Sequence, residues 1–357
     1  MSLDPGWTTA FFEGPLAKAL TPLSWVYGAA ALARRRWRSR SAVRLERPVI
    51  SVGNITCGGT GKTPFVEMLA RDLSALGRKP AILSRGYGAR QSVTPDGARV
   101  NDEYLVLRSN LPDVPHLQGK DRISIGRAAI KDGADVLILD DGFQHVRLER
   151  DTDIVLIDAT SPFGGAPGPF GQGRVLPAGL LREPLEALEE ASLFGITRSD
   201  QVAPRTLTTL CAYLRNRFPG TPQMTLVTHP IEWVGLGGSH LPLEALSGQP
   251  ALAFCGIGNP ESFRRQILAL GVDLRAFVPF RDHHAYNRED IANLRSRMLK
   301  SSAVEIVMTQ KDAVKIKSDE TTASWKHLSI ATRIQSGESA YREALRTALE
   351  RQSPHAT

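Results

Sequence analysis

The sequence predicts an α/β protein with mainly parallel sheets, and three observations support that fold class. Short apolar runs alternate with stretches that have the apolar spacing of helices, beginning at Val49. The run 134–141 contains four consecutive apolar residues and ends in carboxylates, which is typical of a parallel strand buried on both faces. The pattern then repeats, since a strand-like run at 251–255 is followed by a glycine turn and a helical stretch at 261–270. Such alternation favours parallel strands joined by crossover helices.

The length of 357 residues suffices for about two domains. We expect an N-terminal membrane-associating helix at 1–40 and a first α/β domain at 41–220. A second, smaller α/β domain with a β linker should follow at 221–335, and a C-terminal helix at 336–357 should pack back on the first domain. The linker is suggested by short, extended, alternating pieces around 219–233.

A glycine-rich segment joins the first predicted strand to a helix. Gly58, Gly59 and Gly61 are able to adopt positive φ, so the main chain can approach a phosphate, and the helix N-terminus adds unpaired N–H groups. In such a phosphate loop Lys62 contacts the β- and γ-phosphates, and the Thr63 hydroxyl binds Mg²⁺. We therefore predict a P-loop NTPase-like α/β/α sandwich. The predicted nucleotide-binding residues are Thr56, Cys57, Gly58, Gly59, Thr60, Gly61, Lys62 and Thr63.

Two carboxylates end the run 134–141. Asp140 should lie at the carboxyl end of a parallel strand, where such sheets bind their ligands, and should hold Mg²⁺ directly or through water. Asp141 cannot point the same way on a strand, so it should face another part of the site. The alternative is that Asp-Asp-Gly is only a turn. Arg174 and Arg182 lie in a stiff, irregular segment and are candidates either for phosphate contacts or for plain surface charges.

Charge and apolar patterning bear on partners and location. The formal net charge of +7 favours anionic partners such as nucleic acid, phosphorylated substrates or an acidic membrane surface. Three scattered cysteines indicate a reducing compartment, and the N-terminus lacks the features of a signal peptide. Residues 16–33 are apolar at helical spacing but interrupted, which makes them marginal as a helix that spans a bilayer. We expect this helix to lie on an anionic membrane face, the alternative being a helix packed on the domain with a solvated basic end. The arginines that follow at once are Arg34, Arg35, Arg36, Arg38 and Arg40.

Taken together, the motifs of the chain resemble those of the tetraacyldisaccharide 4′-kinases, the lipid A kinases of Gram-negative bacteria. They occur in the order of that family over nearly the whole chain. The motifs are SVGNITCGGTGKTP at 51–64, SRGYG at 84–88, LDDGFQH at 139–145, LPAG at 176–179 with LREP at 181–184, FCGIGNP at 254–260, and DHH at 282–284 with TQKDAV at 309–314.

The resemblance implies roles for individual residues. Asp102 matches the carboxylate that acts as base on the sugar hydroxyl, and His283 matches the histidine that partners it. Arg122 and Arg182 match arginines of the active site. The catalytic residues implied are Asp102, His283, Lys62, Arg122 and Arg182. The residues implied around the metal are Thr63, Asp140, Asp141 and Gln144.

Three positions depart from common patterns. Thr56 stands where the general phosphate-loop pattern has glycine, although a small hydroxyl residue is usual there in the kinase family. Tyr104 and Arg281 stand where the family commonly has proline. Because His284 directly follows His283, the sequence leaves open which of the two histidines is the partner of Asp102.

The function that the resemblance implies is ATP-dependent and Mg²⁺-dependent phosphorylation of the 4′-hydroxyl of tetraacyldisaccharide 1-phosphate, an acylated glucosamine disaccharide, in lipid A biosynthesis. We expect a monomer, peripheral or monotopic on the cytoplasmic face of the inner membrane, with no nucleic-acid partner. If Asp102 and His283 belong to different domains, closure of the domains would assemble the base.

Two other classes of protein remain as alternatives. One is a P-loop ATPase switch of the partitioning or metal-chaperone type, although those loops carry a signature lysine where this chain has Cys57. The other is a nucleic-acid-dependent ATPase, which should show a basic stripe with interleaved aromatic residues. In this chain the densest arginines instead adjoin the apolar N-terminal segment.

Overall fold

A computed structural model describes residues 17, 19–86, 92, 93, 99–164, 173–319 and 321–350, with backbone alone at 92, 93 and 99. Predictions for residues 1–16 and 351–357 lie outside the described residues. The chain forms two compact units. The phosphate-loop unit comprises Leu111–Thr228 and the described parts of Gly6–Gly86 and Thr332–Thr357. The second unit comprises His229–Ala331 and the described part of Tyr87–Asn110. The domain bounds given above stay predictions.

The strands and helices alternate along most of the described chain. The strands are β1 (Val49–Gly53), β2 (Pro80–Ser84), β3 (Ser92–Val93), β4 (Arg99–Val100), β5 (His116–Gln118), β6 (Val136–Asp140), β7 (Thr152–Asp158), β8 (Leu193–Thr197), β9 (Gln223–Gly235), β10 (His240–Leu241), β11 (Pro250–Cys255), β12 (Asp273–Pro279), β13 (Glu305–Thr309) and β14 (Lys326–Ser336). The α-helices are α1 (Thr21–Ser39), α2 (Lys62–Ala75), α3 (Asp102–Asn110), α4 (Arg122–Lys131), α5 (Pro204–Arg217), α6 (Pro260–Ala269), α7 (Arg288–Lys300), α8 (Gln310–Ala313) and α9 (Glu338–Glu350). Short 3₁₀ helices occur at Leu185–Glu190, Ser199–Gln201 and Leu243–Leu246.

The sheet of the phosphate-loop unit is parallel, in the order β5-β2-β6-β1-β7-β8 followed by the first part of β9. Every residue of β1, β6 and β7 is buried. Val52 of β1 is in register with Asp140 of β6. The loop that follows β1 and the carboxylates that end β6 therefore leave the same edge of the sheet side by side.

Apolar side chains from the strands of this unit form two separate clusters. One contains Val49, Leu83 and Leu137, and the other contains Val155 and Phe194. The strand registers place both clusters on one face of the sheet, side by side. Successive side chains of a strand point to opposite faces, and the alternate residues Ile50, Ile138 and Ile154 are buried as well, so both faces of the sheet are covered. The structure thus confirms the predicted α/β/α sandwich.

The second unit is a smaller α/β unit. Its parallel strands follow the order β12-β11-β13-β14, and β10 pairs antiparallel with β9. The helix α3 belongs to this unit, and it is joined to α8 by reciprocal amide hydrogen bonds of 3.2 and 2.7 Å between Asn110 and Gln310. Asp102, at the start of α3, is therefore carried by the second unit.

Some elements differ from the sequence predictions or have no counterpart in them. The predicted linker at 219–233 falls mainly within β9, a strand of 13 residues, while β14 and α5 were not predicted. Both β9 and β14 begin in one unit and end in the other. The helix α1 continues to Ser39, beyond the apolar stretch, because alanine and arginine are both strong helix formers.

Gly53 lets β1 pack closely against the segment after β6, and a larger residue at this position would clash with that segment. A Cβ atom at Gly53 would lie 2.6 Å from Phe143 Cβ and 2.8 Å from its backbone nitrogen. We expect Gly53→Ala to lower the free energy of unfolding by about 1–3 kcal/mol, as overpacking of a core does. Urea unfolding of the full chain measures this change. Gly220→Ala is the matched control, since a Cβ atom at Gly220 would have no neighbour within 4 Å. Equal destabilisation by both substitutions would contradict the steric argument.

Candidate active site

The phosphate loop leads into an uncapped helix N-terminus. Gly58 and Gly61 have φ of 111° and 81°, conformations that favour glycine, whereas Gly59 does not adopt a positive φ. Gly61 is the N-cap of α2, and no side chain caps that helix. The first N–H groups of α2 and its dipole therefore favour an anion at this end.

Thr56 and Cys57 join the start of the loop to the segment at 180–182. Thr56 forms an isolated antiparallel bridge with Leu181, and the Cys57 N–H donates to the Leu180 carbonyl at 2.8 Å. Burial raises the pKa of the Cys57 thiol, so it remains protonated near neutral pH. The backbone contacts of these two residues fix the loop next to Arg182, and the Thr56 hydroxyl also accepts from the Asn54 side chain at 3.1 Å.

Lys62, Asp141, Arg182 and Asn54 form one charged network beside the loop. The Lys62 ammonium donates to Asn54 Oδ1 at 3.0 Å and lies 3.5 Å from Asp141 Oδ1. Arg182 donates to both carboxylate oxygens of Asp141 at 3.0 Å, and it also donates to the side-chain oxygen of Asn54. Burial alone would raise the pKa of Asp141, but Lys62 and Arg182 hold that pKa well below its ordinary value. Asp141 is therefore an ionised carboxylate between two cations.

The two adjacent carboxylates lie in different backbone conformations. Asp140 ends β6 and is buried, whereas Asp141 has φ of 54°, in the left-handed region that non-glycine residues seldom adopt. The chain thus turns sharply at Asp141. Left-handed residues of this kind cluster at active sites, where the surrounding contacts hold them in place.

The oxygen atoms around the loop fit a magnesium ion. Asp140 and Thr63 are buried next to the phosphate loop. Gln144 donates its Nε2 to the Asn54 carbonyl at 2.9 Å, while its buried Oε1 has no hydrogen-bond partner. Among the described residues no group of three or more His, Cys, Asp or Glu side chains is placed to hold a metal. Mg²⁺ commonly takes one or two protein ligands and completes its shell with phosphate oxygens and water, so this donor set suits it.

Arg122 is a buried cation at the start of α4. The residue is 4% exposed, and its Nε has no hydrogen-bond partner among the described residues. One of its terminal nitrogens donates to the Lys120 carbonyl at 3.4 Å, a long hydrogen bond. Burial and the nearby Arg85 charge lower the pKa of Arg122, although an arginine stays charged. A buried guanidinium with so little neutralisation is suited to an anionic ligand.

In the second unit, Asp102 and His283 form a hydrogen-bonded pair. The His283 Nδ1 lies 2.9 Å from Asp102 Oδ2, and Asp102 Oδ1 accepts from the Glu103 N–H at 3.0 Å. His284 instead bonds to Asp290 at 3.0 Å and stacks on Phe280. Of the two histidines, His283 is therefore the one that contacts Asp102.

Charges and hydrogen bonds in the second unit shift the pKa values of Asp102 and His283 in opposite directions. Burial would raise the pKa of Asp102, but the hydrogen bond from His283 and the charge of Lys311 outweigh it, and the pKa falls to about 2. The hydrogen bond to Asp102 raises the pKa of His283. Lys311 lies 3.2 Å from Glu103; burial would lower the pKa of Lys311, but Glu103 and Asp102 raise it. The carboxylate of Asp102 is thus stabilised by its hydrogen bond with His283 and by the positive charge of Lys311.

Asp312 fixes the backbone beneath His283. The His283 N–H donates to the Gly256 carbonyl at 3.1 Å, and the Gly256 N–H donates to Asp312 at 3.1 Å. The buried Asp312 also accepts from the Tyr286 hydroxyl at 2.9 Å. These contacts hold His283 at φ of 57°, a second left-handed residue among the predicted site residues.

The structure places the predicted residues in two groups. The phosphate loop, the residues proposed around the metal, Arg122 and Arg182 all lie in the phosphate-loop unit, and Asp102 and His283 both lie in the second unit. Assembly of the base by domain closure required Asp102 and His283 to belong to different domains, and this condition is not met, because residues 99–110 pack with 229–331.

Sequence reasoning missed three residues that support these groups. Asn54 was passed over although a polar residue directly follows an apolar strand there. Arg198 follows β8, pairs with Asp158 and donates to the Gly59 carbonyl at 3.0 Å. Lys311 was quoted only as part of a motif. Position after a strand could have indicated Arg198, but nothing local indicates its contact with the loop.

The fold and the site together place this protein in the class of P-loop nucleotide-binding enzymes. A parallel sheet places a glycine loop, a lysine and a helix N-terminus beside two carboxylates, and a separate carboxylate–histidine pair can take up a proton.

Comparisons with known proteins identify the family. The family model for tetraacyldisaccharide-1-P 4′-kinase matches residues 16–350. A tetraacyldisaccharide 4′-kinase of Syntrophus aciditrophicus is 38% identical to this chain over 326 residues, and the match covers 85% of each chain. A tetraacyldisaccharide 4′-kinase of Syntrophobacter fumaroxidans is 41% identical over 318 residues, and the match covers 85% of this chain and 80% of the relative. The crystal structure of LpxK from Aquifex aeolicus in complex with ATP superposes with a TM-score of 0.72 at 26% identity, covering 94% of this chain and 99% of that one. The chain belongs to the tetraacyldisaccharide-1-P 4′-kinase family.

The charge of Asp102 should control the titration of His283. In a proton NMR titration we expect the pKa of His283 to lie above the ordinary value of about 6.5, and Asp102→Asn to lower it towards that value. Because the pKa is raised in the folded protein, protonated His283 stabilises the fold below about pH 6.5, and this stabilisation is lost as pH rises through the folded-state pKa.

His327 is the internal control for this titration. Burial lowers the pKa of His327 to about 4, so its signal should stay constant above pH 6 in both proteins. A His283 signal that titrates identically in wild type and Asp102→Asn would contradict the pairing.

Proposed function

We propose that this chain transfers the γ-phosphoryl group of ATP to the 4′-hydroxyl of tetraacyldisaccharide 1-phosphate in lipid A biosynthesis. The observation that carries the proposal is the hydrogen bond of 2.9 Å between Asp102 and His283 in a chain that also holds a phosphate loop. A nucleotide switch requires the loop alone. A kinase that acts on a sugar hydroxyl requires in addition a group that accepts the hydroxyl proton.

The phosphate-loop unit supplies the cations that phosphoryl transfer needs. Lys62, Arg182 and the uncapped start of α2 lie around the loop, and Arg122 is buried with little neutralisation. Positioning and charge stabilisation account for most of the catalysis of phosphoryl transfer. Magnesium held by Thr63, Asp140 and Gln144, with Asp141 nearby, would neutralise charge on the phosphate oxygens.

The Asp102–His283 pair is proposed to accept the proton of the acceptor hydroxyl. As the oxygen–phosphorus bond forms, the oxygen–hydrogen bond breaks and ADP leaves. A carboxylate whose pKa is about 2 is a weak base by itself, so the pair takes up the proton as a coupled unit. We propose Asp102 as the base and His283 as the partner that orients it.

The helix α1 carries most of its large apolar residues outward, although Leu32 packs on the core. Leu23, Trp25, Val26 and Trp37 are 55–72% exposed, whereas the buried residues of α1 are Ser24, Gly28, Ala31 and Arg35. A helix that packs on a soluble domain normally shows the reverse pattern. In the described part of the chain, no helix combines the length and the apolarity that crossing a bilayer requires.

We therefore propose that α1 lies on the anionic cytoplasmic face of the inner membrane, so that the monomer is peripheral or monotopic there. This location would bring the enzyme to an acceptor that stays in the bilayer. The exposed arginines Arg34, Arg36, Arg38 and Arg40 would add electrostatic attraction. Arg35 does not belong to that basic surface, because it is 2% exposed and ion-paired to Glu183 and Glu190. Its inclusion among the membrane-facing arginines was wrong.

Transfer of label tests the activity. With γ-labelled ATP, Mg²⁺ and detergent, we expect label on the acylated disaccharide 1-phosphate. Asp102→Asn should lower turnover about 100-fold or more and leave ATP affinity nearly unchanged, because the base is lost and the phosphate loop is intact. Lys62→Met should weaken both ATP affinity and turnover, whereas Lys131→Met, a change at an exposed lysine of α4, should alter neither. Label released as free phosphate without labelled lipid would favour the ATPase-switch alternative.

Vesicle binding tests the apolar face of α1. Trp25→Glu should weaken sedimentation with phosphatidylglycerol vesicles about tenfold or more, because a buried aromatic side chain contributes about 1.5–3 kcal/mol. Leu299→Glu is the matched control, since Leu299 is also an exposed apolar residue but lies on α7. If the two substitutions have equal effects, α1 is not the attachment site.

A further inference from the structure

We propose that Arg35 is a positioning residue for the phosphate site, so that α1 supports the active site from its inward face while its outward face meets the membrane. The inference rests on the proposed function for the kinase reaction. The contacts that carry it lie entirely within the phosphate-loop unit.

The guanidinium of Arg35 bridges two separate segments of the chain. One terminal nitrogen donates to the Phe143 carbonyl at 2.9 Å and to Glu183 at 2.8 Å, and the other donates to Glu190 at 2.7 Å. The same group lies over the Phe143 ring, 4.3 Å from its centroid. Arg35 therefore ties Phe143 to the segment that begins at Glu183.

Each of these contacts adjoins a residue of the phosphate site. Phe143 directly precedes Gln144 and lies two residues after Asp141, and Glu183 directly follows Arg182. Arg182 and Asp141 are themselves joined by a bidentate salt bridge. Arg35 thus fixes two segments of the chain, one at Phe143 and one at Glu183. Side chains of neighbouring residues in these segments meet at the phosphate loop.

Other contacts of α1 reach the same segment. The Tyr27 hydroxyl donates to the Arg182 carbonyl at 3.1 Å, and Ser24 accepts from the Ala178 N–H at 2.9 Å. A Cβ atom at Gly28 would lie 3.2 Å from Pro184, so the helix backbone approaches closely there. The helix is consequently fixed against 178–184 along its inward face, and Arg35 extends that contact to Phe143.

The contacts at position 35 suit an arginine better than a lysine. A planar guanidinium donates in fixed directions to several acceptors at once, whereas a lysine ammonium offers one centre on a flexible stem. Burial raises the pKa of Glu183 while the charge of Arg35 opposes that rise, so an uncharged residue at position 35 would remove the ion-pair partner of this buried carboxyl. Arg35→Lys retains the charge and loses the geometry, which separates positioning from simple stability.

The test compares Arg35→Lys and Arg35→Met with Arg38→Met, a change at an exposed arginine of the same helix. The measurements are the Kd of a fluorescent ATP analogue as a function of Mg²⁺, binding to phosphatidylglycerol vesicles, and the thermal unfolding midpoint. Loss of a supporting contact behind a metal or phosphate site typically costs 10–100-fold in affinity or activity. We expect Arg35→Lys to raise the Kd of the Mg²⁺-bound analogue about tenfold, with a near-normal midpoint and unchanged vesicle binding.

Arg38→Met should show the opposite result. Its nucleotide affinity should stay unchanged, while vesicle binding should weaken about fivefold, since a basic residue at an anionic surface contributes about 1 kcal/mol. Arg35→Met should lower the midpoint as well as nucleotide affinity. Normal Mg²⁺-dependent nucleotide affinity in Arg35→Lys, or loss of vesicle binding in place of nucleotide affinity, would overturn the inference. Because nucleotide binding needs no lipid acceptor, failure of label transfer to lipid would refute the proposed kinase reaction without changing this result.

Discussion

The parallel pairing of β1 with β6 is the constraint on which the phosphate site depends. Its register sets Val52 beside Asp140, so the phosphate loop and the Asp-Asp-Gly turn emerge together. The close packing of Gly53 on Phe143 then fixes the distance between them. Arg182 closes the arrangement from a third segment through Asp141 and Asn54. Cations and carboxylates separated widely in sequence thereby share one edge of one sheet.

The parts of this site that were predictable are those encoded locally. The buried run of β6, the glycines of the loop and the order of strand, loop and helix follow from neighbouring residues alone. The pair Asp102–His283 is separated by 181 positions, and only the family resemblance suggested it. Which of the adjacent histidines meets Asp102 depended on a left-handed backbone conformation, which periodicity does not report. Arg198 was missed because its contact with the phosphate loop joins residues that are far apart in sequence.

The helix α1 shows a different limit of sequence reasoning. Apolar spacing correctly indicated a helix, but spacing gives the relative direction of side chains and does not say which face is covered. In the structure the covered face consists mainly of small and polar residues with one arginine and the partly buried Leu32, and most of the large apolar residues face outward. A run of arginines was accordingly treated as one surface, although Arg35 points inward and carries ion pairs. Which arginine of such a cluster is buried has to be observed in a structure, because the sequence alone does not distinguish one arginine of the cluster from another.

The outward apolar face of α1 also bears on how the rate of such an enzyme should be described. If this face holds the enzyme at a membrane surface, as proposed, the enzyme would meet its lipid acceptor by lateral diffusion in two dimensions. The relevant acceptor concentration is then the mole fraction of acceptor within the surface, and the bulk concentration matters little. Adding inert lipid or detergent would slow the reaction by diluting enzyme and acceptor over more area, even though every binding site stays intact.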